Sequence, residues 1–110
     1  GNDAAIQSDL STIQTQAEIF YGIANSYGTA GSTCTAAGSL FLDATIVKAL
    51  AGALAANGSN ALICGNTTTA YAVASKLASS ARYWCVDSTG SATNSSVALV
   101  AGATVCPVSN

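Results

Sequence analysis

The sequence predicts an α+β domain: a long N-terminal amphipathic helix packed on a small antiparallel β-sheet meander, with a second helix in the connecting loop and two disulfides. Three observations carry that expectation. First, Ile6, Leu10, Ile13, Ala17, Phe20, Tyr21 and Ala24 recur mainly at steps of four and three, the spacing of one helical face. Second, residues 70–77 alternate, with Tyr71, Val73 and Leu77 on one side and Ala70, Ala72, Ala74 and Lys76 on the other. Period two with one bulky face marks a half-buried antiparallel strand. Third, Cys34, Cys64, Cys85 and Cys106 are widely spaced in a 110-residue chain without histidine.

The expected boundaries are a helix over about residues 3–26, a loop with a second helix over about 27–58, and a sheet with a C-terminal loop over about 59–110. Gln7, Ser8, Asp9, Ser11, Thr12, Gln14, Thr15, Gln16 and Glu18 form the polar face of the first helix. Asn2 or Asp3 is its expected cap, and an acid in the first turn suits the helix dipole. The helix should loosen near Gly22 and end by Tyr27-Gly28. A Gly/Ser/Thr loop follows over Ser26 to Gly38. The second helix is expected over about Phe41 to Ala56, with Ile46, Val47, Leu50 and Leu54 on one face and Gly58, beside Asn57, as its cap.

Ala61 to Cys64 reads as a short strand and Gly65-Asn66-Thr67 as the turn behind it. After the alternating strand, Ala78 to Ala81 is the hairpin connection. Arg82 to Asp87 is the next strand, sending Trp84 and Val86 one way and Tyr83, Cys85 and Asp87 the other. Asp87-Ser88-Thr89-Gly90 fits a type I turn, with Asp first and Gly fourth. Ser91 to Asn110 reads as a polar loop with a weak strand at Val97 to Val100.

Composition limits what such a domain can do. Charged residues are 7% of the chain, against ~25% in an ordinary globular protein. Alanine accounts for 23 of the 110 residues, so large anchors are few. Net charge is −2 and the only cations are Lys48, Lys76 and Arg82, so no basic patch offers itself to nucleic acid. No run reaches the ~18 apolar residues of a membrane span; the longest attempt, Leu40 to Ala56, is broken by Asp43 and Lys48. Zinc sites show close ligand pairs, which these cysteines lack. Two disulfides and an oxidising compartment fit better. Of three possible pairings, the sequential one, Cys34–Cys64 with Cys85–Cys106, is favoured because each bridge closes a local loop.

Catalytic machinery is hard to assemble from these residues. Without histidine the usual general base near neutral pH is missing. Ser75 and Lys76 are sequence neighbours, but adjacent strand residues point to opposite faces. Lys48 and Thr45 share ordinary helix surface, and the five acids (Asp3, Asp9, Glu18, Asp43 and Asp87) form no evident pair. Asp87-Ser88-Thr89-Gly90 has one residue too many for the Asp-Thr/Ser-Gly loop of aspartic proteases and occurs once. The expectation is a protein without catalytic residues, cofactor or metal. Asn57, Asn66 and Asn94 open Asn-x-Ser/Thr triplets, as chance allows in so polar a chain.

Residues 3–21, from Asp3-Ala4-Ala5-Ile6-Gln7 to Ala17-Glu18-Ile19-Phe20-Tyr21, resemble the helix that leaves the membrane in bacterial type IV pilins and pseudopilins. Asn25-Ser26-Tyr27-Gly28 looks like the motif closing that helix. Ala70-Tyr71-Ala72-Val73 followed by Tyr83-Trp84-Cys85-Val86-Asp87-Ser88-Thr89-Gly90 is similar to the paired strands of the globular head. The resemblance covers most of the chain. It implies a structural subunit of an extracellular, cell-surface filament, a homo-oligomer built through a strongly hydrophobic N-terminal helix segment. That segment is missing here, so the chain is expected to be a head trimmed of its only membrane contact.

On that reading Leu10, Ile13, Ala17 and Phe20 bind the head's own sheet through Tyr71, Val73, Leu77, Trp84 and Val86. Residues near the start (Asp3, Ala4, Ile6 and Gln7) face neighbouring subunits. Cys85–Cys106 then resembles the disulfide-closed C-terminal loop of many pilins. A pseudopilin of a secretion or DNA-uptake machine is the first alternative, its calcium reading resting on Asp87 alone. The second is a secreted, disulfide-stapled module that binds glycan or protein through Tyr83 and the Ser91 to Ser96 loop.

Overall fold

In the computed structural model, which describes residues 1–107, the opening stripe folds into helix α1 (Asn2–Ala24). The helix ends two residues before the expected boundary because Asn25 turns left-handed (φ 56°) and returns its N–H to the Tyr21 carbonyl. Neither Asn2 nor Asp3 caps the start; Gly1 holds that position without a side-chain hydrogen bond. Asp3 instead reaches 75 residues along the chain, accepting from the Ala78 N–H (2.7 Å), the Ser79 N–H (3.2 Å) and the Ser79 hydroxyl. The cap expectation failed because a better set of donors lay in the tertiary structure.

The second helix is shorter than expected. Leu40–Leu42 form one 3₁₀ turn, and α2 proper is Ala44–Ala56. Asp43 divides them, its carboxylate accepting from the Thr45 and Ile46 N–H groups as an N-cap does. At the far end Gly58 (φ 80°) lets the Ser59 N–H return to the Leu54 carbonyl, the outer bond of a Schellman closure. The buried face of α2 is Ile46, Ala49 and Ala53, and it lies against α1. This corrects the predicted face. Val47 and Leu54 are exposed, because alanine and glycine let the two helices approach more closely than leucines would.

The four-stranded sheet is antiparallel throughout, in the order β1-β2-β3-β4, with β1 at Ile63–Asn66, β2 at Tyr71–Lys76, β3 at Tyr83–Asp87 and β4 at Ala92–Ser95. Val73 stands opposite Cys64 on one side and Val86 on the other. β1 lies two residues later than expected, so Gly65 and Asn66 belong to the strand. Gly65 is glycine because the 102–103 backbone passes where its Cβ would be. Asn66 is buried and exchanges backbone hydrogen bonds with Gly31, while its amide donates to the Tyr27 and Thr29 carbonyls. It lashes the loop before α2 to the sheet edge.

Two apolar layers enclose the sheet. On the front, Ile6, Leu10, Ile13 and Ala17 of α1 pack with Tyr71, Val73, Leu77 and Val86, and with Phe41 and Ile46; Phe20 and Trp84 are half-buried at the margin. On the back, Ala72, Ala74 and Cys85 meet Leu99. The back layer corrects two expectations. β2 is buried on both faces rather than half-buried, and residues 97–100 form no strand but cover the sheet. The final three residues of the predicted C-terminal loop, 108–110, lie outside the described ones. Both bridges are the sequential pair, Cys34–Cys64 and Cys85–Cys106, with Cα separations of 5.0 and 5.8 Å. No helix is long and apolar enough to cross a membrane among the described residues.

Candidate functional site

The four residues assigned to a subunit interface separate into two kinds. Ile6 is fully buried in this chain's own core and so does not face outward as expected, while Asp3 lies at the surface with its carboxylate engaged by the β2–β3 hairpin. Their side chains answer the physical demands of the head first: an apolar stripe is covered by the nearest sheet, and a carboxylate finds free N–H groups. Ala4 and Gln7 are exposed and open to a neighbour.

Ser75 and Lys76 are held apart by separate hydrogen bonds. Ser75 is buried, receives the Asn57 amide (2.9 Å) and donates to the Lys76 carbonyl. Lys76 turns away, giving its ammonium protons to the Leu77 and Ser80 carbonyls. Among the described residues no three His, Cys, Asp or Glu side chains converge as a metal site. Asn57 and Asn66, which open two of the glycosylation triplets, are buried with their amide nitrogens already donating.

Asp87 is a heavily used polar side chain. It has no exposed surface, and one carboxylate oxygen accepts from the Thr89 N–H (2.9 Å), the Thr89 hydroxyl (2.6 Å) and the Ser91 N–H (3.3 Å). The other accepts from the Cys106 N–H at 2.8 Å. Burial alone would raise this carboxyl; the Cys106, Thr89 and Ser91 donors outweigh it and hold the group below the usual carboxylate range. The expected type I turn is present, closed by the Gly90 N–H on the Asp87 carbonyl. Gln14 of α1 donates to the Asp87 and Ser91 carbonyls, so the same turn also anchors the helix.

Beside it runs a polar cleft of about 340 Å³ lined by Gln14, Glu18, Asp87, Ser88, Thr89 and Gly90. Tyr27 donates its hydroxyl to Glu18 (2.8 Å), and its ring packs tilted against Tyr21 and edge-on against Tyr71, with centroids at 4.8 and 5.0 Å. Burial, then the bond to Glu18, raises the Tyr27 hydroxyl. Burial chiefly raises that of Tyr71, which is enclosed without a hydrogen bond. The Ser91 to Ser96 segment, expected as a binding loop, is largely strand β4, with Ser95 buried; Tyr83 is half-buried.

A second opening is one the sequence concealed. A groove of about 570 Å³ runs between the outer face of α2 and the segments at 34–35 and 59–62. Leu42, Val47, Leu50, Leu54 and Leu62 are its large side chains, and no lining residue is charged. Val47, Leu50 and Leu54 share one helical face by their spacing, and that face lines the groove. The signal that could have exposed them was the competing Ala49-x-x-Gly52-Ala53 face, which allows tighter helix contact. No family model, curated protein or solved structure matches the chain.

Proposed function

We propose that the chain is a structural subunit of an extracellular type IV pilus-like filament. The observation that carries this reading is architectural: a long helix lies across a four-stranded antiparallel meander whose C-terminal covering is closed by Cys85–Cys106. The order of helix, intervening loop, hairpins and C-terminal bridge agrees with what the sequence resemblance implies, and this supports the reading. Further support comes from chemistry. A surface built from Ser, Thr, Asn and Gly, with 7% charged residues, repels copies of itself weakly. Ala4 and Gln7 remain for contact with neighbours at the start of α1.

Mass spectrometry of the native protein from a sheared cell-surface fraction tests the proposal. A filament subunit should appear in the fibres, extended by about thirty mainly apolar residues, enough to span a bilayer, and methylated at its N-terminus. Recovery only as a free secreted monomer of this length would overturn it and favour the binding module.

A further inference from the structure

Asn57 and Gly58 are the one Asn-Gly pair in the chain. Such a pair is chemically labile: with no side chain on the second residue, its backbone nitrogen can attack the asparagine amide carbon and close a five-membered imide. The fold nonetheless requires it. Gly58 takes φ 80°, which L side chains rarely adopt, and so lets the Ser59 N–H return to the Leu54 carbonyl (2.9 Å) at the end of α2. We infer that Asn57 is a self-modification site that the contact of α2 with β2 keeps shut, and that it reacts only when this contact opens.

Two features hold the reaction off. Asn57 has ψ 9°, so the Gly58 nitrogen nearly eclipses the Asn57 nitrogen and stands away from the Cβ–Cγ arm. Ring closure needs a rotation of roughly a third of a turn about the Cα–C bond, fixed by the near-tetrahedral carbon, and that rotation dismantles the helix end. The side chain is pinned as well. Asn57 is 3% exposed; its Oδ1 accepts from the Asn60 N–H (2.8 Å), and its Nδ2 donates to the Asn60 carbonyl (2.8 Å) and to Ser75 Oγ in β2 (2.9 Å). Turning the side chain breaks the bond to Ser75, and turning the backbone carries Asn60 away.

The chemistry balances with water alone. The Gly58 nitrogen bonds to Asn57 Cγ, its proton passes to solvent base, the Cγ–Nδ2 bond breaks and ammonia leaves. Water then opens the imide at either carbonyl, giving aspartate or, where the chain now runs through the side-chain carboxyl carbon, isoaspartate. Neither product fits. Aspartate sets an acceptor where Nδ2 donated, against the Asn60 carbonyl in a buried site. Isoaspartate adds a carbon to the backbone at the helix closure. An opening of this corner is thereby recorded permanently, in a chain that closes less well afterwards. The site works within a single head, whether or not heads assemble.

Peptide mapping for isoaspartate after incubation at mildly alkaline pH is the test. In the reduced chain in denaturant, Asn57 should convert ahead of Asn25, Asn60, Asn66 and Asn94. In the native head it should convert about tenfold more slowly or less, as a reaction gated by local opening does. Equal rates in the two states, or no lead for Asn57 in the unfolded chain, would overturn the proposal. Ser75→Ala, with its fold checked by circular dichroism, removes one tether and should speed conversion severalfold; an unchanged rate in that folded variant would refute the guarding role of β2. Asn57→Asp should lower the thermal midpoint of the head, and a midpoint equal to the parent's would refute the one-way character of the step.

Discussion

The two faces of the sheet are covered by opposite means. The front is held by volume: Leu10, Ile13, Phe41, Tyr71 and Val86, all fully buried, interlock α1 and the 3₁₀ turn with β2 and β3. On the back, the side chains are Ala72, Ala74, Cys85 and Leu99, too small to hold a segment by apolar burial alone. There a disulfide and the Asp87 carboxylate hold residues 97–107 in place. A helix can afford to be attached by packing because it brings a continuous stripe. A segment lacking regular structure offers one leucine and must be tied at points.

That contrast can be broken most severely on the front. Leu10→Ala should cost about 2–5 kcal/mol, the range for truncating a buried leucine, and Leu10→Asp should leave no cooperative thermal transition by circular dichroism. A folded Leu10→Asp head would mean that α1 is not part of the core. Next in size is the back tie. Replacing Cys85 and Cys106 together by alanine should cost about 2–4 kcal/mol. Hydrogen exchange should then rise first in residues 97–107 while α1 stays protected. Simultaneous loss of protection in both would erase the distinction between the faces.

Asp87→Asn should cost about 1–3 kcal/mol by weakening charge-assisted bonds to Cys106, Thr89 and Ser91. Its folded pKa is lowered, so its contribution is present above the unfolded value and disappears as pH falls through the folded one. Denaturant titrations between pH 6 and about pH 2 (below the usual aspartate range) should show that loss in the parent and a flatter profile in the variant. Asp9, at the crossing of α1 with Gly52, has the opposite sign: burial raises its pKa, so stability increases as pH falls through that value. Asp9→Asn should shift stability by no more than about 0.5 kcal/mol, upward at neutral pH. Ala4→Asp should also stay within about 0.5 kcal/mol in the head. An unfolded Ala4 variant would place that residue in the core instead of on a surface for assembly.

Legibility followed the same division. The front was readable because bulky residues at helical and strand periods announce themselves: α1, β2 and β3 emerged near their true positions, as did both disulfides. Elements that use small or polar residues were misread. Gly65-Asn66 has the composition of a turn, yet Gly65 yields space to the 102–103 backbone and Asn66 spends its amide as an internal tie. β4, Ala92-Thr93-Asn94-Ser95, has no apolar alternation and is defined by its pairing with β3. The α2 groove was hidden because spacing grouped Ile46, Val47, Leu50 and Leu54 on one face, whereas Ile46 packs inward with Ala49 and Ala53 and the others line the groove. Asp87 was recognised as a turn residue, but its bond to Cys106 depends on a tertiary approach 19 residues away.

The meander has a consequence for how the chain is made. Every strand pairs with its neighbour in sequence, so the sheet can zip up locally as it emerges, with short loops to close. Helix α1 is synthesised before the sheet, and Tyr71, Val73 and Val86, which cover its stripe, arrive some fifty or more residues later. During synthesis this helix is left waiting, its greasy side not fully covered until β2 and β3 are in place.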